Sequence, residues 1–176
     1  MPLGRGPEIA VLFVGTLYSS ADIFSPVSFK LRESFGSILF ESPPLPWNYT
    51  DYYGEEIGPP VFRRFTFFGR NVDASSVVDA KLRTMSLEAD FSEGGRRQIN
   101  IDPGYMTLAK VVLASRKNYS HRIYLGRGIF GEVELFHKDG KYNPLPYTYP
   151  DYRDETFLGF FSEARRLLKK SGYRDI

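Results

Sequence analysis

Gly126-Arg127-Gly128-Ile129-Phe130-Gly131-Glu132-Val133 has the residue types and spacing of a phosphate-covering loop. Glycines in the pattern G-x-G-x-x-G-x-V let a backbone approach phosphate oxygens closely, and Arg127 would add a cation at the tip. The residues that follow, Glu132-Val133-Glu134-Leu135, alternate as a strand. A dinucleotide-binding turn would instead open a helix. The plainer reading is a tight hairpin that needs positive φ at Gly126 or Gly128. In that hairpin Arg122 faces Glu132 if the turn centres on Arg127, or Glu134 if it centres on Gly128; either is a cross-strand ion pair. His121 shares the parity of Ile123 and Leu125 and is expected to point inward with them. His137 sits beside a turn and is expected in solvent. Two histidines so placed, with no cysteine in the chain, do not make a zinc site.

Carboxylates are the next candidates. Asp51, Glu55 and Glu56 share a loop containing glycine and tyrosine. Asp102, before Pro103, reads as a helix cap, and Asp151 begins the turn before the last helix. Asp51 with Asp102 or Asp151 would offer oxygen ligands for magnesium or an acid/base pair, although the spacing does not require either. Arg63 and Arg64 are neighbours on a strand and face opposite ways, so one of them meets a covered face. A buried arginine needs a carboxylate or a ligand anion. Pro44-Leu45-Pro46-Trp47-Asn48-Tyr49-Thr50-Asp51-Tyr52 also has an echo in Pro144-Leu145-Pro146-Tyr147-Thr148-Tyr149-Pro150-Asp151-Tyr152. The flanks do not match, so this is not a repeat architecture. Both prolines of each Pro-Leu-Pro lack an N–H, so each segment is expected to run along an edge and bring its Asp-Tyr pair to one shared cleft.

The elements that must position these residues follow from pattern. Ile9 to Val14 is an apolar run, read as a strand buried on both faces. A helix follows, with Ser25 as N-cap, Pro26 at its first position and a Phe24–Phe29 staple. The rival start at Ser20 puts Pro26 inside the helix, at about 3 kcal/mol. Gly36 ends it. Ser37 to Phe40 and Phe62 to Phe68 are strands; in the second, Arg63, Phe65 and Phe67 share one face. A helix capped by Asp73 buries Val78, Leu82, Met85 and Ala89 and ends at Gly94-Gly95. Gln98 to Ile101 is a strand with Ile99 and Ile101 inward. Asp102-Pro103 then opens a helix that is apolar nearly all round through Leu113, and therefore buried. The glycine hairpin, an Asp139-Gly140 turn, and a helix from Asp154 to about Lys170 with Phe157, Phe161, Ala164 and Leu168 inward complete the chain. This order predicts an α+β fold: a ferredoxin-like βαββαβ core extended by a buried helix, a β-hairpin and a C-terminal helix.

The chain has 176 residues, one domain's worth, with 42% hydrophobic and 16% aromatic residues and a formal charge of +2. That charge creates no field for nucleic acid or an anionic membrane, and Ile9 to Val14 is too short to span one. Lacking cysteine, the chain suits the cytoplasm. Arg97 to Tyr105, Tyr119 to Gly126 and Tyr147 to Tyr152, with Thr50 to Tyr53, Gly58 and Arg63-Arg64, resemble an uncharacterised bacterial family catalogued as a domain of unknown function. The resemblance covers nearly the whole chain and implies an identity without a mechanism. Members are sometimes labelled GTP-binding, but the chain has no G-x-x-x-x-G-K-[ST], no Asn-Lys-x-Asp, and none of the lysine, H-R-D or D-F-G motifs of protein kinases. The expected function is binding of, or catalysis on, a small anionic ligand, phosphorylated or nucleotide-like. Its site would draw on Asp51, Tyr52, Arg63, Arg64, Asp102, Tyr105, His121, Arg122, Tyr124, Arg127, Tyr149, Asp151 and Tyr152. A protein-interaction module is the alternative. RNA binding ranks last, because the RNP signature is missing.

Overall fold

A computed structural model describes residues 6–173. The elements in chain order are β1 (Ile9–Tyr18), α1 (Ala21–Phe35), β2 (Ile38–Glu41), β3 (Leu45–Pro46), α2 (Tyr52–Ile57), β4 (Phe62–Asp73), α3 (Val77–Asp90), β5 (Ser92–Glu93), β6 (Arg96–Arg97), β7 (Ile99–Met106), β8 (Lys110–Ser115), β9 (Ile123–Gly126), β10 (Ile129–Lys138), β11 (Lys141–Pro144), α4 (Pro150–Arg153) and α5 (Glu155–Lys170). The fold is α+β, built on an antiparallel sheet in the order β11-β10-β8-β7-β1-β4-β2, with β3 added to β4 and β9 to β10.

The apolar run at Ile9 becomes the centre of this sheet, because β1 is covered on both faces. Leu12 and Val14 pack with α1 and α3, whereas Val11 and Phe13 pack beneath α5. The expected parity of β4 holds: Phe65 and Phe67 join Phe13 under Phe161 of α5, with ring centroids 5.2–5.3 Å from it. α5 is the helix read from the sequence. Asp154 caps it by accepting from the Thr156 N–H at 2.9 Å, and Phe157, Phe161, Ala164 and Leu168 are buried.

Three expectations are corrected. The helix predicted from Asp102 does not form. β7 continues through Pro103 to Met106, and β8 carries the rest of the apolar run. A sequence apolar nearly all round suits a strand covered on both faces as well as a buried helix. Pro103 is tolerated because β7 is paired on both sides only from Gly104 onward. α1 starts after Ser20 and contains Pro26, so the Phe24–Phe29 staple is absent: Phe24 stacks on Tyr18 and Phe29 is exposed. The burial of Phe24, Val27, Leu31 and Phe35 on one face offsets the proline's cost. The inward face of α3 is rotated from the predicted one: Val78 is buried and Leu82 packs against the core as expected, but Val77, Ala80, Lys81, Thr84, Leu87 and Glu88 are buried as well, Met85 is half-buried and Ala89 is exposed. Gly94 and Gly95 turn the β5–β6 hairpin beyond the end of α3.

The glycine segment is a hairpin turn. Arg127 and Gly128 have φ of 55° and 77°, and β9 pairs antiparallel with β10. Arg122 bonds to Glu132, the register centred on Arg127. Ile123 and Leu125 do not point inward: they are 72% and 39% exposed, because β9 is a short edge strand paired with β10 alone among the described strands. His121 therefore turns away from their face and meets Glu132.

Candidate functional site

The candidate site begins with Arg63. Its strand position places it on the α5 face of β4, where a guanidinium must be paired or pay a desolvation cost. Asp151, carried in by the short α4, accepts from Nε at 3.0 Å and from Nη2 at 2.8 Å through one oxygen, Oδ2. Trp47 Nε1 donates to the same oxygen at 3.3 Å. Burial opposes the Arg63 charge, but Asp151, then Tyr152 and Asp102, more than offset this, and the guanidinium is held protonated more firmly than usual. Its third nitrogen, Nη1, is buried without a hydrogen bond. The nearest carboxylate to it is Asp102, whose Oδ2 lies 3.6 Å away. Gly15 makes room for this arrangement, since a Cβ there would stand 3.0 Å from Nη1.

Arg63, Asp102 and Asp151 line a recess of about 170 Å³ walled by Trp47, Tyr53 and Tyr149. It opens into a cleft of about 460 Å³ that shares Tyr53, Lys81, Asp102 and Tyr149 with it and adds Glu88, Asn100 and Arg97. Lys81 and Glu88 reach the site because the inner face of α3 carries them there among apolar residues. Glu88 accepts from the Ile101 N–H at 2.6 Å; burial pushes its carboxyl upward in pKa, only partly opposed by that bond and by Lys81. Arg97 holds Glu56 through two bonds of 2.7 and 2.8 Å and donates to Asn100 at 2.8 Å. The Tyr53 hydroxyl is also pushed upward, first by burial and then by Asp102.

A second buried set stands behind the wall at Tyr149. Arg122 donates to Glu132 at 3.0 Å, to Ser115 Oγ at 3.0 Å and to the Tyr149 hydroxyl at 2.8 Å. The ring of His121 stacks on Tyr147 at 4.3 Å, and its Nε2 lies 2.5 Å from Glu132. Between Val133 and Leu135 the register of β10 on β8 slips by one, so Glu134 is the extra residue of a bulge. A bulge re-aims a side chain. Glu134 Oε2 accepts the Tyr149 N–H at 3.2 Å, and its carboxyl shares a hydrogen bond with Glu132. Burial and the closeness of Glu132 raise the Glu134 pKa, so this carboxyl keeps its proton. Glu132 is also disfavoured as an anion by burial, but its bonds to Glu134 and Arg122 prevail and keep its pKa low.

The sequence candidates thus divide. Arg63, Asp102, Tyr149, Asp151 and Tyr152 line the recess. Tyr52 edges the outer cleft. His121 and Arg122 buttress the wall. Asp51 is exposed on a separate flank beside Asn48 and Gly54, so the two Asp-Tyr pairs do not play equivalent parts. The echo segments do meet, through Trp47 on Asp151 and through Tyr49, whose hydroxyl donates to Asp154 at 3.3 Å. Arg64 points to the other face, bonded to Glu41 at 3.0 Å and stacked 4.5 Å over Phe24 in a shallow depression against α1. The Tyr105 hydroxyl donates to Glu8 at 3.4 Å, that of Tyr124 accepts the Gly128 N–H, and Arg127 pairs with Asp79 on the surface. The magnesium set of Asp51 with Asp102 or Asp151 does not assemble. Among the described residues no three His, Asp or Glu side chains gather as metal ligands. Sequence reasoning missed Trp47, Lys81, Glu88 and Asn100, and the signal available was a lysine and a glutamate seven residues apart on one apolar helix face.

Residues 8–167 match the domain of unknown function DUF4416, and the chain belongs to that family. No curated protein and no solved structure matches the chain.

Proposed function

We propose that the recess and the cleft in front of it bind one small anionic ligand, phosphorylated or nucleotide-like. One observation carries the reading. Of the buried charged side chains among the described residues, Arg63, Lys81, Glu88 and Asp151 line this cavity, Arg122 and Glu134 bond to its wall residue Tyr149, and Glu132 pairs with Arg122 behind that wall. Buried charge is costly and is otherwise scattered or absent. Here it converges and still leaves the Arg63 Nη1 donor unused. The tyrosine and tryptophan walls suit a planar or apolar part of the same ligand.

The strand run β7-β1-β4-β2, antiparallel at each step with α1 and α3 in one core cluster, supports a ferredoxin-like reading of this half of the sheet. No helix among the described residues is long and apolar enough to cross a membrane, and we place the function in the cytoplasm, which the cysteine-free sequence suits. The interaction-module reading draws support from β9, where Ile123 and Tyr124 are 72% and 60% exposed. The RNA reading loses its platform, because the sheet aromatics Phe13, Phe65 and Phe67 lie under α5.

A thermal-shift panel of nucleotides and sugar phosphates, with and without magnesium, tests the proposal. A true ligand at about one hundred times its Kd adds about 2.7 kcal/mol to stability. The response should disappear in Lys81→Gln. A panel that shifts nothing, or shifts Lys81→Gln equally, argues against the site.

A further inference from the structure

We infer that Asp102 sets the charge the inner recess accepts, restricting it to a singly charged oxyanion such as a phosphodiester or a carboxylate. The inference rests on the ligand-binding reading above and deepens it. Asp102 stands between two cations without hydrogen-bonding to either: Oδ2 is 3.6 Å from Arg63 Nη1, and Oδ1 is 3.9 Å from Lys81 Nζ. Its carboxylate is held elsewhere, by Asn100 Nδ2 at 2.7 Å. Asn100 is in turn fixed by Arg97, which is clamped on Glu56. All three residues of the trio line the recess, and their side chains are 6%, 25% and 11% exposed for Arg63, Asp102 and Lys81.

This geometry separates charge from hydrogen bonding. Arg63 is offset by Asp151, Lys81 by Asp102, and Arg97 by Glu56, so the positive charges around the recess are cancelled pair by pair. Glu88 contributes no positive charge. Arg63 Nη1 nevertheless has no hydrogen-bond partner, Lys81 Nζ stands 3.9 Å from Asp102, and both side chains line the cavity. An incoming oxyanion can take both donors, as an anion with strong acceptor oxygens does. It must do so beside the Asp102 carboxylate, in surroundings that screen poorly. One negative charge meets that repulsion once and a dianion meets it twice. Any second charge on the ligand belongs in the outer cleft, where Arg116 and Lys117 line the wall.

Sulfate and dimethyl phosphate share a tetrahedral shape and differ in charge, so they isolate the effect. Calorimetric titration of both into the full chain, at constant ionic strength, should show dimethyl phosphate preferred by at least about tenfold. Acetate in place of dimethyl phosphate distinguishes a carboxylate from a phosphodiester as the better monoanion. Asp102→Asn should raise sulfate affinity by about tenfold or more and remove the preference. The same gain is expected of Asp102→Ala, so a folding defect peculiar to one variant does not decide the result. An unchanged sulfate-to-monoanion ratio, equal weakening of both anions, or no sulfate binding to either variant overturns the inference. These outcomes are separate from the thermal-shift panel: a nucleotide or sugar phosphate can bind while Asp102 proves to have no part in charge selection.

Discussion

Glu134 shows how a single residue makes the site legible only after folding. In the sequence it is one of two glutamates in register to pair with Arg122. In the fold the bulge buries it against α4, and Arg122 takes Glu132 instead. Its pKa is raised above the unfolded value by burial and by Glu132. A carboxyl shifted this way binds more protons folded than unfolded, so the stability it contributes is complete below its unfolded pKa and is lost as pH rises toward the folded one. Glu134→Gln keeps the neutral shape without this penalty. We expect it to raise stability at neutral pH by more than about 1 kcal/mol and to flatten the decline above about pH 4.5 in urea-unfolding measurements across pH. A loss of stability at neutral pH would mean that the anion is the folded form. Asp151 is a different case, a carboxylate paired with an arginine that cannot shed its charge. Asp151→Ala should cost about 3–5 kcal/mol in the same measurement, since it strands a buried guanidinium. The exposed Asp51→Ala should stay within about 0.5 kcal/mol of wild type. The sequence shows both aspartates as Asp-Tyr pairs after Pro-Leu-Pro, and nothing local distinguishes them. The distinction comes from which of them a strand eighty-eight residues away can reach.

Elements with a single apolar face were the easiest to read in advance. α5 has its cap and its inward side chains where the 3.6-residue period puts them, and the Arg127-Gly128 turn follows from backbone sterics. β7 and β8 were misread because a segment buried on both faces has no period to report. Gly104 was the clue within it. A Cβ at that position would lie 2.3 Å from the Val112 carbonyl oxygen and 2.5 Å from the Phe13 ring. Three adjacent strands therefore meet there at a separation that only glycine permits, which a helix would not require. Gly104→Ala should cost at least about 1–3 kcal/mol, measured as a lower thermal midpoint together with reduced soluble yield. Gly131 provides the control. A Cβ there comes closer than 3.0 Å only to the tip of the half-exposed Leu125, at 2.9 Å, with Val112 in ordinary contact at 3.5 Å, and the leucine side chain can move aside. Gly131→Ala should change stability by less than about 1 kcal/mol. Equal losses at the two glycines would show that β7 and β8 are not packed as closely as the register implies.

At the scale of the whole molecule, the site is made by pairing strands and helices that are distant in sequence. Arg63, Asp102, Lys81 and Asp151 come from β4, β7, α3 and α4, and no local pattern specifies that these four elements meet at one recess. Trp47 stands at the same junction. It is the only tryptophan in the chain, and it follows the two-residue strand β3. Its N–H donates to the Val61 carbonyl at 2.8 Å and its indole donates to Asp151. The ring also has Arg63 5.9 Å from its centroid and packs edge-on to Tyr53 at 5.2 Å. Its fluorescence therefore reports on a small satellite cluster with Leu17, Ile57 and Val61, which the pairing of β3 with β4 joins to the main sheet and to which the indole contact with Asp151 adds a side-chain tie. If that tie is strong, heating should give one midpoint whether followed by tryptophan fluorescence or by far-ultraviolet circular dichroism, as a cooperative unit requires. Asp151→Ala cuts the tie but leaves the sheet and both major core clusters in place. In that variant the fluorescence transition should precede the dichroism transition by several degrees, because the segment carrying Trp47 can then open alone. Coincident transitions in the variant would mean that the aromatic contacts hold the segment without the ion pair. Separated transitions already present in the wild type would mean that the recess wall opens on its own before the sheet melts.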